Sequence, residues 1–241
     1  MHQDSVSLDS YEQMAEYYFN DVDKKPYNAY YERPATISLL PDAAGKKVLD
    51  AGCAAGWYTE CLLEQGAAEV TAVDFSPAMI EMTRRRVGDR ARLICGDLNE
   101  PLSYMENASA DIVVSSLALH YLKDWTPVMS EFYRILKADG TLVFSVHHPF
   151  MDFTVFHKDN YFRTELLDDE WETGAGTTVQ VQFYRRPLSS IIASVLDAGF
   201  LLEALLEPMP TEDFRKVLPE SYDKLTRRPQ FLFIRAKKNE K

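Results

Sequence analysis

A chain of 241 residues, 46% hydrophobic and 26% charged, has an ordinary globular composition and can bury a core without disulfides or a structural metal. Its net charge of −11 opposes a nucleic-acid phosphate backbone, and no apolar run reaches the length of a membrane span. Three cysteines, Cys53, Cys61 and Cys95, follow no metal-ligand spacing, and the opening MHQDSVSLDS lacks the flank and apolar stretch of a signal peptide, so a reducing, cytoplasmic address is expected.

The first forty residues read as helical and rich in tyrosine (Tyr11, Tyr17, Tyr18, Tyr27, Tyr30, Tyr31). Residues 1–45 are therefore expected to form a cap across the open ends of the strands. From Lys47 onward, short β-rich runs alternate with amphipathic helix patterns. The runs are Lys47–Ala51, Glu69–Asp74, Arg92–Cys95, Asp111–Ser116 and Thr141–His147, followed by Leu201–Glu207 and Phe231–Lys237. Their continuous apolar character suits strands buried on both faces of a parallel sheet. Four helix patterns close on a glycine (Gly66, Gly88, Gly140, Gly199), and Ser76-Pro77 and Thr126-Pro127 read as an N-cap followed by a first-turn proline. The alternation predicts one α/β domain spanning 1–241 with a doubly wound sheet. Asn160–Leu166 and Thr178–Arg185 read as extended pieces around Gly174-Ala175-Gly176. They predict a hairpin or lid within an insert, residues 149–186, ahead of a helix beginning at Pro187.

The chemistry is concentrated at the strand ends. Val48-Leu49-Asp50-Ala51-Gly52-Cys53-Ala54-Ala55-Gly56 is a strand, an acidic residue, small residues and then a helix, which brings backbone close to a ligand at the strand's carboxyl end. Its GxxxG spacing fails the GxGxxG fingerprint of a dinucleotide site and disfavours a nicotinamide enzyme. Asp50 before the loop suits an ammonium or sulfonium better than a phosphate. Asp74 ends the second run, where a carboxylate can accept both ribose hydroxyls. Gly96-Asp97-Leu98 closes the third, offering an acceptor beside a backbone N–H, a match for the edge of adenine. Each aspartate alone also reads as a strand-end cap. Three at successive strand ends fit one adenosyl ligand.

The pattern resembles the class I S-adenosylmethionine-dependent methyltransferases, in the broad group containing ubiquinone and menaquinone biosynthesis enzymes. VLDAGCAAGWYT resembles the family's glycine-rich motif, VTAVDFSPAMI its acidic-loop motif and CGDLN its adenine motif. DIVVSSLALHYL and EFYRILKADGTLVFSVHHP resemble its fourth- and fifth-strand signatures. The resemblance implies a Rossmann-like seven-stranded sheet of order 3-2-1-4-5-7-6 with the seventh strand antiparallel. It implies S-adenosylmethionine as cofactor and S-adenosylhomocysteine as product. Asp50, Ala51 and Gly52 would lie at the methionine amino group and Asp74 at the ribose. Phe75 and Met79 would flank the adenine, Gly96, Asp97 and Leu98 would meet its edge, and Ser116 would border the cofactor from the fourth strand. One departure stands out: Ala54 occupies the position of the family's middle glycine, a methyl that is tolerated if the backbone φ there is negative.

Methyl transfer from a sulfonium needs in-line placement in a dry pocket, and a base only if the acceptor arrives protonated. The candidate catalytic residues are His120, after the fourth strand, and His147 and His148, after the fifth, each with a second reading as a structural cap. No acidic or sulfur partner stands at metal-ligand spacing from the His-His pair, so no metal is expected. Arg33, with a guanidinium able to fork onto a carboxylate, is the candidate for the cofactor's carboxylate, and Tyr18 a further one from the same segment. The fourth strand lacks the Asn/Asp-Pro-Pro-aromatic turn of nucleobase amino-methyltransferases. The insert is dense in aromatics, which reads either as a lid over the acceptor or as ordinary hairpin packing. The expected acceptor is a small molecule, apolar or aromatic, with neither nucleic acid nor membrane as partner. A non-catalytic cofactor-binding protein and a methyltransferase acting on tRNA or protein are the alternatives.

Overall fold

The computed structural model describes residues 12, 22–172 and 178–239. The expected strands appear as β1 (Lys47–Ala51), β2 (Glu69–Asp74), β3 (Arg92–Cys95), β4 (Ala110–Ser116) and β5 (Leu136–His147). An inserted pair, β6 (Glu165–Glu172) and β7 (Thr178–Arg185), precedes β8 (Phe200–Leu206) and β9 (Phe231–Lys238). The main sheet has the order β3-β2-β1-β4-β5-β9-β8, and β6 and β7 form a separate hairpin. β1 to β5 run parallel, while β9 lies antiparallel to both β5 and β8. With the hairpin set aside, this is the 3-2-1-4-5-7-6 order expected of the Rossmann-like family.

Alternation along the central strands explains the two-sided core. Leu49, Val113, Leu142 and Phe144 face one layer, with Trp125, Phe132 and Val195. Their neighbours Val48, Ile112 and Val114 face the other, with Tyr58 and Leu62. Val143 joins Tyr31, Ala35 and Phe233 on that second side. Strands that bury both faces must be apolar throughout, which is why they read as unbroken runs. Among the described residues no helix is long and apolar enough to cross a membrane.

Three local readings are corrected. Gly140 does not close a helix: α4 (Thr126–Ile135) ends before β5 begins, and Asp139 rather than Gly140 takes the positive φ, at 61°. Gly140 answers to space, because a Cβ there would sit 2.9 Å from the Lys137 carbonyl oxygen. Thr126 is the first residue of α4 rather than its cap; the Asp124 carboxylate accepts the Thr126 N–H at 2.9 Å. The first hairpin arm is Glu165–Glu172 instead of Asn160–Leu166, since a short unpredicted helix, α5 (Pro149–Val155), and the loop after it take up the intervening chain. Ser76 does cap α3 (Pro77–Val87), accepting the Met79 N–H at 3.1 Å. Gly66, Gly88 and Gly199 take positive φ as expected. Tyr11, Tyr17, Tyr18 and residues Gly174-Ala175-Gly176 lie outside the described residues; in the described part of the N-terminal segment a π-helical turn, Asn28–Glu32, runs into α1 (Arg33–Leu39).

Candidate active site

A cavity of about 630 Å³ opens at the carboxyl ends of the parallel strands. Its first lobe is lined by Gly52 to Ala55 after β1, Asp74 and Phe75 after β2, and Gly96 to Asn99 after β3. Gly52 has φ +83°, and a Cβ on it would fall 2.3 Å from that of Ala118. The loop therefore passes against the turn after β4 at a distance only glycine permits. Ala54 also takes a left-handed φ, 47°; the condition for an unstrained methyl is not met. Its N–H donates to Asp74 Oδ2 at 2.9 Å, and the Ser76 N–H donates to Oδ1 at 3.0 Å. The Phe75 N–H also lies within hydrogen-bonding reach of this carboxylate, whose four lone-pair sites exceed these three donors. Burial, opposed by these N–H bonds, raises the Asp74 carboxyl to about 6.

Asp50, Ala51 and Met79 do not border the cavity. Asp50 is buried beneath the loop, accepts the Thr59 hydroxyl at 2.6 Å, and is pushed up to about 7 by burial. Ala51 is fully buried, its carbonyl accepting the Ser115 hydroxyl at 2.8 Å. Met79 packs beneath the loop with Ala55 and Met82. Phe75, Gly96, Asp97, Leu98 and Ser116 all border the cavity. Asp97 also folds its own turn, accepting the Asn99 N–H at 2.8 Å.

Arg33 borders the same lobe. Its guanidinium lies 4.2 Å over the Trp57 ring and donates to the carbonyls of Val22 and Asp23. Glu32, one residue earlier, was not foreseen. It is 1% exposed and accepts four hydroxyls: Thr36, Ser116 and Ser145 on one oxygen and Tyr58 on the other. It pins the N-terminal segment to the ends of β4 and β5. A glutamate amid tyrosines carries no pattern that separates this role from a surface one.

The second lobe lies between the turn after β4, the end of β5, Phe231 and the hairpin residues Leu166, Trp171, Gln182 and Tyr184. His120 and His147 meet here, their rings stacked with centroids 4.2 Å apart and 22° between planes. Phe183 of the hairpin packs edge-on against both. Burial lowers His147 to about 4 and holds His120 well below the usual histidine range. Both imidazoles are thus neutral near pH 7. His148 stands apart from the cavity. Its Nε2 meets Glu207 at 2.6 Å and its Nδ1 accepts the Phe150 N–H, capping α5. Among the described residues no group of three or more His, Cys, Asp or Glu side chains is placed to hold a metal.

The sequence matches the model of the Methyltransferase domain family over residues 49–144. It is 30% identical over 237 residues to an uncharacterized protein of Haemophilus influenzae, with 89% of each chain covered. A Listeria monocytogenes structure, provisionally described as an S-adenosylmethionine dependent methyltransferase, superposes with a TM-score of 0.76 at 29% identity, covering 87% of this chain and 97% of that one. The chain belongs to the class I S-adenosylmethionine-dependent methyltransferases. Its cofactor is S-adenosylmethionine, and a structural neighbour of this methyltransferase, DhpI, is solved in complex with SAH at a TM-score of 0.66 and 16% identity. A malonyl-[acyl-carrier protein] O-methyltransferase of Serratia marcescens is 34% identical over 102 residues, 42% of this chain and 38% of that one. The chain thus spans less than half the length of that relative. The residues present suit the cofactor: a glycine cradle that a Cβ would fill, and a buried carboxylate with a lone-pair site to spare beside it.

Proposed function

We propose that this methyltransferase acts on a small organic acceptor held in the second lobe, within a single domain that residues 1–45 cap and residues 149–186 wall. The carrying observation is one continuous cavity running from Gly52 and Asp74 to His120 and His147. In this reading Asp74 accepts the ribose hydroxyls, Phe75 lies along the adenine, and Asp97 and Leu98 meet its edge. Arg33 faces the carboxylate end of the cofactor. Asp50 acts from beneath the loop, contributing negative potential near the amino group rather than direct contact. When bound, the cofactor supplies an electrophilic methyl on a sulfonium. The protein's part is to orient the acceptor in line with that methyl and to exclude water. The aromatic residues of the lobe favour a flat or apolar acceptor. The neutral histidines favour one that must lose a proton.

Calorimetric titration with S-adenosylhomocysteine tests the cofactor half of this reading. Wild type is expected to bind, and Asp74→Ala to lose about 2–4 kcal/mol of binding, the scale of two hydrogen bonds to a charged group. Absence of heat at millimolar ligand, or unchanged affinity in the variant, would count against the placement.

A further inference from the structure

Behind the histidine pair lies a buried carboxylate that the cofactor site does not use. Asp152, in α5, is 2% exposed, and its Oδ1 has no hydrogen-bond partner. It faces His147 Nδ1 at 3.7 Å, and that nitrogen is buried and unpartnered as well. The separation exceeds a hydrogen bond by a few tenths of an ångström, within reach of a small ring rotation. Two buried orphans opposed in this way call for an explanation in chemistry. The neighbouring guanidinium groups engage their terminal nitrogens elsewhere, although the Nε of Arg185 and of Arg186 is itself buried without a partner. Arg185 pairs with Glu165 at 2.8 Å and donates to the carbonyls of Asn160, Tyr161 and Arg163. Arg186 donates to the Leu122 carbonyl and lies 4.2 Å over the Trp125 ring.

Resting on the methyl-acceptor reading above, we propose that Asp152 is a positioning residue that holds the Nδ1–H of His147. Nε2 of His147 is thereby left as the base for the acceptor. The same division of labour, a buried carboxylate fixing the tautomer of an imidazole, operates in hydrolytic triads. The substrate class follows: an acceptor whose nucleophilic atom bears a proton, an alcohol, phenol or amine. Its proton passes to Nε2 and its electron pair forms the new bond to the methyl carbon. The pair of the broken carbon–sulfur bond stays on sulfur. His120 has neither nitrogen partnered; nothing fixes its tautomer, and its stacked ring serves as a wall for His147.

Burial, partly offset by Arg185 and reinforced by Asp169, raises the Asp152 carboxyl to about 8. Below that value the acid form donates to Nδ1 and drives the ring proton onto Nε2, blocking the base. Above it, the carboxylate accepts from Nδ1–H. The groups facing the pair are His120 from the turn after β4, Asp169 from β6, and Tyr184, Arg185 and Arg186 at the end of β7. With both histidines lowered, the switch belongs to Asp152.

The test is two-bond proton–nitrogen correlation spectroscopy on protein labelled with ¹⁵N-histidine, His147 being assigned with His147→Gln. Spectra are taken about one pH unit either side of the Asp152 value. The expected result is Nε2–H on the acid side, Nδ1–H on the alkaline side, and loss of the switch in Asp152→Ala. Nε2–H throughout in wild type overturns the proposal, as does a wild-type pattern that survives unchanged in Asp152→Ala. Should the variant fail to fold, the wild-type spectra decide alone. S-adenosylhomocysteine is titrated into the same wild-type sample. Failure to bind overturns the methyl-transfer reading and the base with it, whereas binding with Nε2–H throughout overturns the base alone.

Discussion

Ala54 sits in a left-handed backbone conformation, φ 47°, at the position where the family's pattern has glycine. Its N–H must still reach Asp74 and its carbonyl must accept the Thr83 hydroxyl at 2.7 Å. Those two bonds fix the strained geometry from both sides. A left-handed alanine costs about 1–2 kcal/mol, and glycine's greater freedom in the unfolded chain returns part of that. Ala54→Gly is therefore expected to stabilise the protein by about 0.5–1 kcal/mol. Urea unfolding measures it, and a lower midpoint in the variant would mean the surrounding bonds do not hold this conformation. Gly52 shows the converse, since a methyl there would collide with Ala118. The two positions were equally visible as small residues in a loop. Their φ values were not, because the loop's course depends on the turn after β4, more than sixty residues on.

At the scale of elements, the N-terminal segment is held to the sheet by Glu32, which gathers hydroxyls from α1, from the helix Trp57–Glu64, and from β4 and β5. Glu32→Gln keeps the size but leaves one carbonyl oxygen for four donors, stranding at least one buried hydroxyl. The expected cost is about 2–4 kcal/mol of unfolding free energy. A denaturant midpoint unmoved from wild type would show that the segment is held by its aromatic packing instead. The strands that carry the cofactor loop could be read directly, because burial on both faces leaves an unbroken apolar run and Gly66 and Ser76-Pro77 mark the helix ends between them. The insert could be read only as aromatic. Its hairpin register, helix α5 and Asp152 are set by what they pack against, and a single buried aspartate has no local signature. His147 and His148 adjoin in sequence, yet one borders the cavity and the other caps a helix. Alternation at a strand's end separates such neighbours only once the strand's last paired residue is known, and that residue is His147, opposite Phe231.

The molecule as a whole carries an unusual set of buried ionisable groups, and their shifts run in opposing directions. Burial raises Asp74 to about 6, Asp50 to about 7 and Asp152 to about 8. It lowers His120, His147 and His148 from the usual histidine value. For the aspartates the folded state binds a proton that the unfolded chain has released above about pH 4. Their contribution to stability is present below that pH and is lost as pH rises through the folded values. The histidines act the other way: their unfolded forms take up protons below about pH 6.5, so their contribution is lost on acidification. Below about pH 6.5 the two sets oppose each other. Above about pH 7.5 the histidines are almost wholly neutral in both states, while Asp152 still titrates and Asp50 completes its titration. The stability of the cofactor-free protein is therefore expected to fall as pH rises across that window, by at most about 1.4 kcal/mol per pH unit for each group. Asp152→Asn carries no titrating proton, so its stability profile should be flatter there, with only the tails of the Asp50 and unfolded-histidine titrations left to set the slope. Denaturant unfolding at constant ionic strength, for both proteins at a series of pH values, measures the two slopes. A wild-type stability that climbs above about pH 7.5, or an Asp152→Asn profile parallel to wild type there, would show that Asp152 is already ionised in the folded protein near neutral pH.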